Sequence, residues 1–247
     1  MPVPAAILFD YGGVLADVRH VDAGFAEIAG ELARILAEQG LAALSLDDVE
    51  ADLRAGNGAY ESWKQAQSRF MHPRELTHEE FIELVVADWP DAQRKAILAE
   101  ADTLCEHFEF ATLHRPAKPD AIDVLVELRR RGVRTALVCN CLAGDSARHQ
   151  MRLDGLDGLL DVELFSDETG IRKPNPDFMF DALKRLDAPA ADSWFIGDKL
   201  NRDILGARRA NMGKAVLVSS QAGPGKPVRG IEPDVVVDSL TELLTLM

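Results

Sequence analysis

Six short apolar runs constrain this chain more than any other feature. They are AAILFD (5–10), VRTALVCN (133–140), LLDVELFS (159–166), SWFIGD (193–198), KAVLVSS (214–220) and DVVVDS (234–239). Each has the length of a strand and is almost continuously apolar, as strands buried on both faces are. Such a sheet needs helices over both faces, and helical patterns separate the later runs. PDAIDVLVELRRRG (119–132) carries Ile122, Leu125, Val126 and Leu128, then arginines and Gly132. Basic residues and a glycine are the signals that stop a helix. NPDFMFDALKRLD (175–187) and RDILGARRANM (202–212) repeat the logic. The alternation predicts βαβ units, an α/β fold and a mostly parallel sheet.

The stretch after the first run reads differently. Val21, Phe25, Ile28, Leu32 and Ile35 fall at 4-3-4-3 spacing, one face of a helix. Thr77-His78-Glu79-Glu80 is a capping box ahead of Phe81 to Val86. Residues 91–108 are also helical in pattern, and no alternating strand pattern occurs. The expected organisation is a core of residues 1–16 and 116–247 with an all-helical insertion, 17–115, after the first strand.

Charge and composition narrow the function classes. The chain holds 41 acidic and 27 basic residues, a formal charge of −14. Residues 17–117 hold 20 acids and 9 bases, and the remainder 21 and 18, so the excess belongs to the insertion. A protein that grips nucleic acid through phosphates needs a basic face, so no nucleic-acid partner is expected. No apolar run approaches the roughly 20 residues of a membrane helix. The opening MPVPAAILFDYGGVL has no basic leader and is broken by Asp10; it reads as a strand, not a signal peptide. Cys105, Cys139 and Cys141 make no disulfide framework, and a single C-x-C is a poor zinc site. A reducing, cytoplasmic setting is expected. QAGPGKPVRG (221–230) reads as a loop, and the oligomeric state stays open.

Ligands of parallel α/β sheets bind beyond the carboxyl ends of the strands. The first run ends in Asp10-Tyr11-Gly12-Gly13 and the second in Cys139-Asn140-Cys141. Arg172-Lys173-Pro174 follows the third, and the fourth ends in Gly197-Asp198, with Asp203 just beyond. Carboxylates, a lysine and a glycine turn thus converge from four segments. ILFDYGGVL, ALVCNC, RKPNPDFMF and FIGDKLNRDILGARRANM resemble the four ordered motifs of the haloacid dehalogenase superfamily. K-P-x-P-x-x-F followed by G-D-x-x-x-x-D-I-x-G-A is the most specific part. The resemblance implies a Rossmann-like three-layer core, a mobile helical cap and Mg²⁺-dependent hydrolysis of phosphate esters.

A phosphate monoester is a dianion, so a carboxylate nucleophile needs charge neutralisation, which Mg²⁺ supplies. Asp10 is the expected nucleophile, forming an aspartyl-phosphate, with its other oxygen on the metal. Asp198 is expected on the metal, the resemblance implies the Gly12 carbonyl as a further ligand, and Asp203 is expected in the same set, orienting Lys173 or a metal-bound water. Lys173 is expected to offset the phosphoryl oxygens and Asp10. Amides of Gly12 and Gly13, with Cys139 and Asn140, complete the expected phosphate contacts.

Two positions depart from the family pattern. Phosphatases of this type mostly carry a second Asp two residues after the nucleophile, as leaving-group acid; here Gly12 stands there. Cys139 stands where Ser or Thr donates to phosphate, and a thiol is a weak donor. These leave two alternatives: a hydrolytic 2-haloacid dehalogenase, which needs no metal, and a non-catalytic binding protein that keeps the fold. Asp17, Arg19 and His20 are within reach of the pocket but read better as solvated surface. Trp63 and Lys64 are within reach of substrate in a closed cap, but an aromatic at helical spacing reads better as cap core. His72, His78 and His114 read as surface, and Asn175, Asp177 and Phe178 as a helix start.

Overall fold

The first apolar run becomes β1 (Ala6–Phe9), and all four of its side chains are buried. They alternate between two cores: Ala6 and Leu8 pack on one side of the sheet, Ile7 and Phe9 on the other. One strand therefore defines three layers. The computed structural model describes residues 3–220 and 223–247. After β1 come β2 (Arg19–His20), α1 (Ala23–Glu38), α2 (Leu46–Gln67), α3 (His78–Val85), α4 (Asp91–Leu98), α5 (Ala101–Thr112) and β3 (Leu113–His114). The chain continues as α6 (Ala121–Arg130), β4 (Arg134–Cys139), α7 (Gly144–Leu153), β5 (Val162–Phe165), α8 (Ser166–Thr169) and α9 (Pro176–Leu186). β6 (Ser193–Gly197), α10 (Leu205–Arg209), β7 (Lys214–Val218) and β8 (Val235–Val237) complete it.

The sheet runs β5-β4-β1-β6-β7-β8, every neighbouring pair parallel. The fold is α/β and Rossmann-like. Helices α6 and α7 cover one face and α9 and α10 the other. The chain grows outward from β1 through β4 and β5, then returns to lay β6 on the opposite side of β1. Between β1 and β6 the order reverses, and a crevice opens beyond their carboxyl ends. The register Phe9↔Ile196 sets Asp10 beside Gly197, one residue before Asp198.

Helices α1–α5 bury a third core, including Ile28, Leu32, Phe81 and Phe108, which Leu142 and Ala143 of the loop after β4 also join. The capping box at Thr77 is present in full, its hydroxyl on the Glu80 amide and the Glu80 side chain on the Thr77 amide. The pattern predicts an all-helical insertion, and the structure departs from it. β2 and β3 form an antiparallel ribbon, Arg19↔His114 and His20↔Leu113, where the chain leaves and re-enters the core. Two-residue strands carry no period that a sequence pattern can show. The segment 91–108 divides into α4 and α5, and the helix expected at 202–212 begins earlier, as a π turn over Leu200–Ile204.

The three cysteines are unpaired and buried. Among the described residues no helix is long and apolar enough to cross a membrane. Of the expected loop 221–230, the first two residues lie outside the described set, as do the first two of the chain; 223–230 contain no helix or strand.

Candidate active site

Asp10 leaves β1 and Asp198 leaves β6, so the sheet itself holds both carboxylates at the reversal of strand order. With Asp203, from the π turn, they bring carboxylate oxygens within 4.8 Å of one another, all three residues buried. The Lys173 ammonium lies 2.7 Å from Asp10 Oδ1 and 2.9 Å from Asp203 Oδ1, with no exposure of its own. The Tyr11 amide also donates to Asp10 Oδ1 (2.7 Å), and neither contact uses Oδ2. Asp203 Oδ2 accepts from the amides of Asp198 (3.2 Å) and Lys199 (2.9 Å), so it shapes the turn that carries Asp198.

Burial and charge compete at this centre. Burial pushes the Asp10 carboxyl up to about 6, against the pull of Lys173. It pushes Lys173 down, but Asp10 and Asp203 outweigh it and hold the ammonium above the ordinary lysine range. For Asp203, Lys173 and Arg202 outweigh burial and keep the carboxyl below its usual value. Asp198 Oδ2 takes Lys199 Nζ (2.7 Å) and the Ser220 hydroxyl (2.9 Å). Its Oδ1 is buried without a hydrogen-bond partner among the described residues, and Arg202 Nη2 is 3.8 Å away. An orphaned buried carboxylate oxygen is costly unless a cation takes it. Beside two more carboxylates, this oxygen fits a hard divalent cation such as Mg²⁺.

The glycine turn serves by its shape. Gly13 has φ +86°, and a Cβ there would overlap the Asp198 carboxylate. Its amide was expected on phosphate but donates to the Ala16 carbonyl (2.6 Å), and Lys118 Nζ takes its carbonyl (2.7 Å). A Cβ on Gly12 would meet Val18 Cγ2 at 2.8 Å, so any side chain at this position needs Val18 to give way. Asn140 lines the cavity, yet its carboxamide is engaged with the Lys173 backbone. Oδ1 accepts from the amide (2.8 Å) and Nδ2 donates to the carbonyl (3.1 Å), which positions the lysine. Cys139 and Cys141 both line the cavity and both belong to the core. The Cys141 thiol donates to Asp167 (3.4 Å).

Core and cap enclose a cavity of about 530 Å³ over these groups. Asp17, Arg19 and His20 line it, although Arg19 and His20 are also exposed. Lys64 reaches it from α2, whereas Trp63 packs against the cap core, as expected. Asn175 caps α9 through the Asp177 amide and Phe178 is buried beneath it, also as expected. His72 and His114 are exposed, but His78 is not free surface. Its Nδ1 meets Asp102 (2.7 Å) and its Nε2 the Leu142 carbonyl (2.9 Å). Asp167, with Asp102, lifts its imidazole to about 9 against burial.

Sequence reading missed Lys199, Arg202 and Ser220. Ser220 closes the fifth apolar run, and the strand-end rule applied there finds it. It also missed the join between cap and core. Glu75, buried in the segment before α3, holds Arg172 Nη1 at 2.5 and 2.7 Å. The same carboxylate accepts from the Tyr60 hydroxyl (3.1 Å) and the Ser166 hydroxyl (2.7 Å), and Ser166 in turn accepts from the Cys141 amide (3.0 Å). A second buried pair, Arg115–Glu109 (2.6 Å), stands by the β2–β3 ribbon.

The model of the haloacid dehalogenase-like hydrolases matches residues 4–211. Over 130 residues the chain is 31% identical to a glyceraldehyde 3-phosphate phosphatase of Methanopyrus kandleri, covering 52% of this chain and 55% of that one. A phosphoserine phosphatase of Thermus thermophilus is 33% identical over 143 residues, 58% and 56% of the two chains. The chain spans about half the length of the curated relatives it matches. Among solved structures, a 2-haloacid dehalogenase of Pseudomonas syringae superposes with a TM-score of 0.62 at 20% identity, over 98% and 97% of the chains. A phosphatase of Thermococcus onnurineus gives 0.59 at 20% identity, over 98% and 96%. At such identity these two share the fold.

Proposed function

The chain belongs to the haloacid dehalogenase-like hydrolase family, and from that premise we propose that it is a Mg²⁺-dependent phosphatase of a small phosphorylated metabolite. The observation that carries this reading is the orphaned Asp198 Oδ1 beside Asp10 and Asp203. A dehalogenase, whose aspartate attacks carbon, has no use for a third buried carboxylate with an unmatched oxygen. The phosphatase names of the relatives point the same way.

Asp10, the Gly12 carbonyl and Asp198 would hold Mg²⁺, with Asp203 completing the acidic set. When bound, the ion neutralises the charge of a dianion brought among carboxylates. Asp10 Oδ2, the oxygen not held by Tyr11 and Lys173, attacks phosphorus as the ester oxygen–phosphorus bond breaks. An aspartyl-phosphate forms and the leaving oxygen takes its proton from water, since Gly12 offers no acid, so that the alcohol departs. Water then attacks the phosphorus, releasing inorganic phosphate and restoring the carboxylate. Lys173 keeps Asp10 ionised despite its burial and screens the phosphoryl oxygens. Asp203 and Asn140 hold Lys173 in place from its two ends, ammonium and backbone.

Hydrolysis of an aryl phosphate with and without Mg²⁺ tests the reading. Turnover that needs the ion, and that Asp10→Asn lowers by roughly 10³-fold or more, is the expected result. No turnover of any phosphate ester, together with halide release from 2-haloacids, overturns it.

A further inference from the structure

The cavity holds more cationic groups than its acidic centre can use. Lys173, Lys199 and Arg202 all address Asp10, Asp198 or Asp203. Arg115 is matched to Glu109. Three cations then remain on the lining, Arg172 from the core and, from the cap, Lys64 and the exposed Arg19.

Arg172 is only 2% exposed, and Glu75 engages it through Nη1 alone. This is not the two-nitrogen fork by which a carboxylate saturates a guanidinium. The Nε is buried without a hydrogen-bond partner among the described residues. Arg202 Nε shares that state; a buried charged donor without a partner, on a residue that lines the cavity, is a demand for an acceptor. Lys64 is a quarter exposed and lies 2.5 Å from Glu61, which is half exposed and free to give way. Burial holds the Lys64 ammonium below the ordinary lysine range against Glu61, and the charges of Arg172 and Arg202 add to the depression. Lys64 and Arg172 both line the one cavity. Like charges gathered in a cavity favour an anion between them.

We propose that Arg172 and Lys64 form a second anion subsite, so that the substrate is a short phosphate ester carrying a further anionic group, a carboxylate or a second phosphate. Its phosphoryl end rests on the phosphatase reading; the subsite itself does not. Arg172 supplies fixed N–H donors, and Lys64 a point charge that exchanges Glu61 for the ligand.

Calorimetric titration with non-hydrolysable probes in the presence of Mg²⁺ tests the subsite without turnover. 3-Phosphonopropionate is expected to bind roughly tenfold or more tightly than propylphosphonate, the scale of one charged hydrogen bond. In Lys64→Met the two affinities converge to within about threefold, with folding checked by circular dichroism. Propane-1,3-bisphosphonate is the third arm: whichever of it and the carboxylate binds more tightly identifies the second group. Equal affinities of 3-phosphonopropionate and propylphosphonate for the wild type, or no binding of either, overturn the subsite even if aryl phosphate is hydrolysed. A preserved preference with no phosphatase turnover overturns the phosphatase reading and leaves the subsite standing.

Discussion

The two walls of the cavity are made in opposite ways. On the core wall Asp10, Lys173, Asp198 and Asp203 are 5% exposed or less, and each is held by at least two named contacts. Their positions follow from strand ends and one tight turn. On the cap wall Lys64, Arg19 and His20 are partly or fully exposed and sit on a helix face and a two-residue ribbon. Charges fixed in low dielectric act strongly on a reacting group, at the cost of bringing a partner for every charge. Charges at a wetter wall act weakly but can be exchanged without unmaking the fold. The core wall is suited to a single chemistry and the cap wall to the choice of substrate.

Substitutions on the two walls should therefore fail differently. Lys173→Met should lower kcat by roughly 10²–10³-fold, as loss of a preorganised cation does. It should also lower Tm, because Asp10 and Asp203 are left facing each other. Steady-state kinetics with a melting curve checks this; a change in KM alone would erase the contrast with Lys64. Glu75→Gln probes the join between the walls. Breaking one side of a buried ion pair costs about 3–5 kcal/mol, so urea unfolding should lose a few kcal/mol. The exposed pair Arg34–Glu38 (2.7 Å) is the control. Removing it should leave the urea curve almost unmoved, and equal losses would show that burial is not what separates these pairs.

Apart from that control, the smallest effect belongs to His78, which ties the first turn of α3 to Asp102, Asp167 and the Leu142 carbonyl. Its imidazole is raised from 6.5 to about 9 in the fold. A raised group gives its full stabilisation below its unfolded value and loses it as pH rises through the folded one. The wild type should lose roughly 1–2 kcal/mol between about pH 6.5 and 9 relative to His78→Gln. Parallel stability profiles for the two proteins would show that the tie is uncharged throughout.

The core wall was legible in the chain because strand ends are legible. Apolar runs locate the strands, topology places their carboxyl ends together, and Asp10, Lys173 and Asp198 stand there with their chemistry on display. The turn hides more, since a backbone amide has no letter of its own: nothing in the sequence tells that the Gly13 amide goes to Ala16. Nor does it show that Asn140 serves Lys173, because both partners arrive through loops. Glu75 was out of reach altogether. It is one of 20 acids in an acidic stretch, and only the packing of α2 and α8 around it selects it.

Glu75 has a consequence for the architecture as a whole. The insertion looks like a cassette, entering and leaving through neighbouring points at Asp17 and Pro116, whose backbones are hydrogen-bonded (2.9 Å). Yet its residues 74 and 75 are also docked on the core at a second place, just before Lys173, where Arg74 bridges Ile171 and the Glu75 amide meets the Gly170 carbonyl (3.0 Å). A foreign cap spliced at the ribbon would inherit Arg172 without its carboxylate. Chimaeras in this scaffold have to transplant the charge at residue 75 along with the helices, or delete the arginine that waits for it.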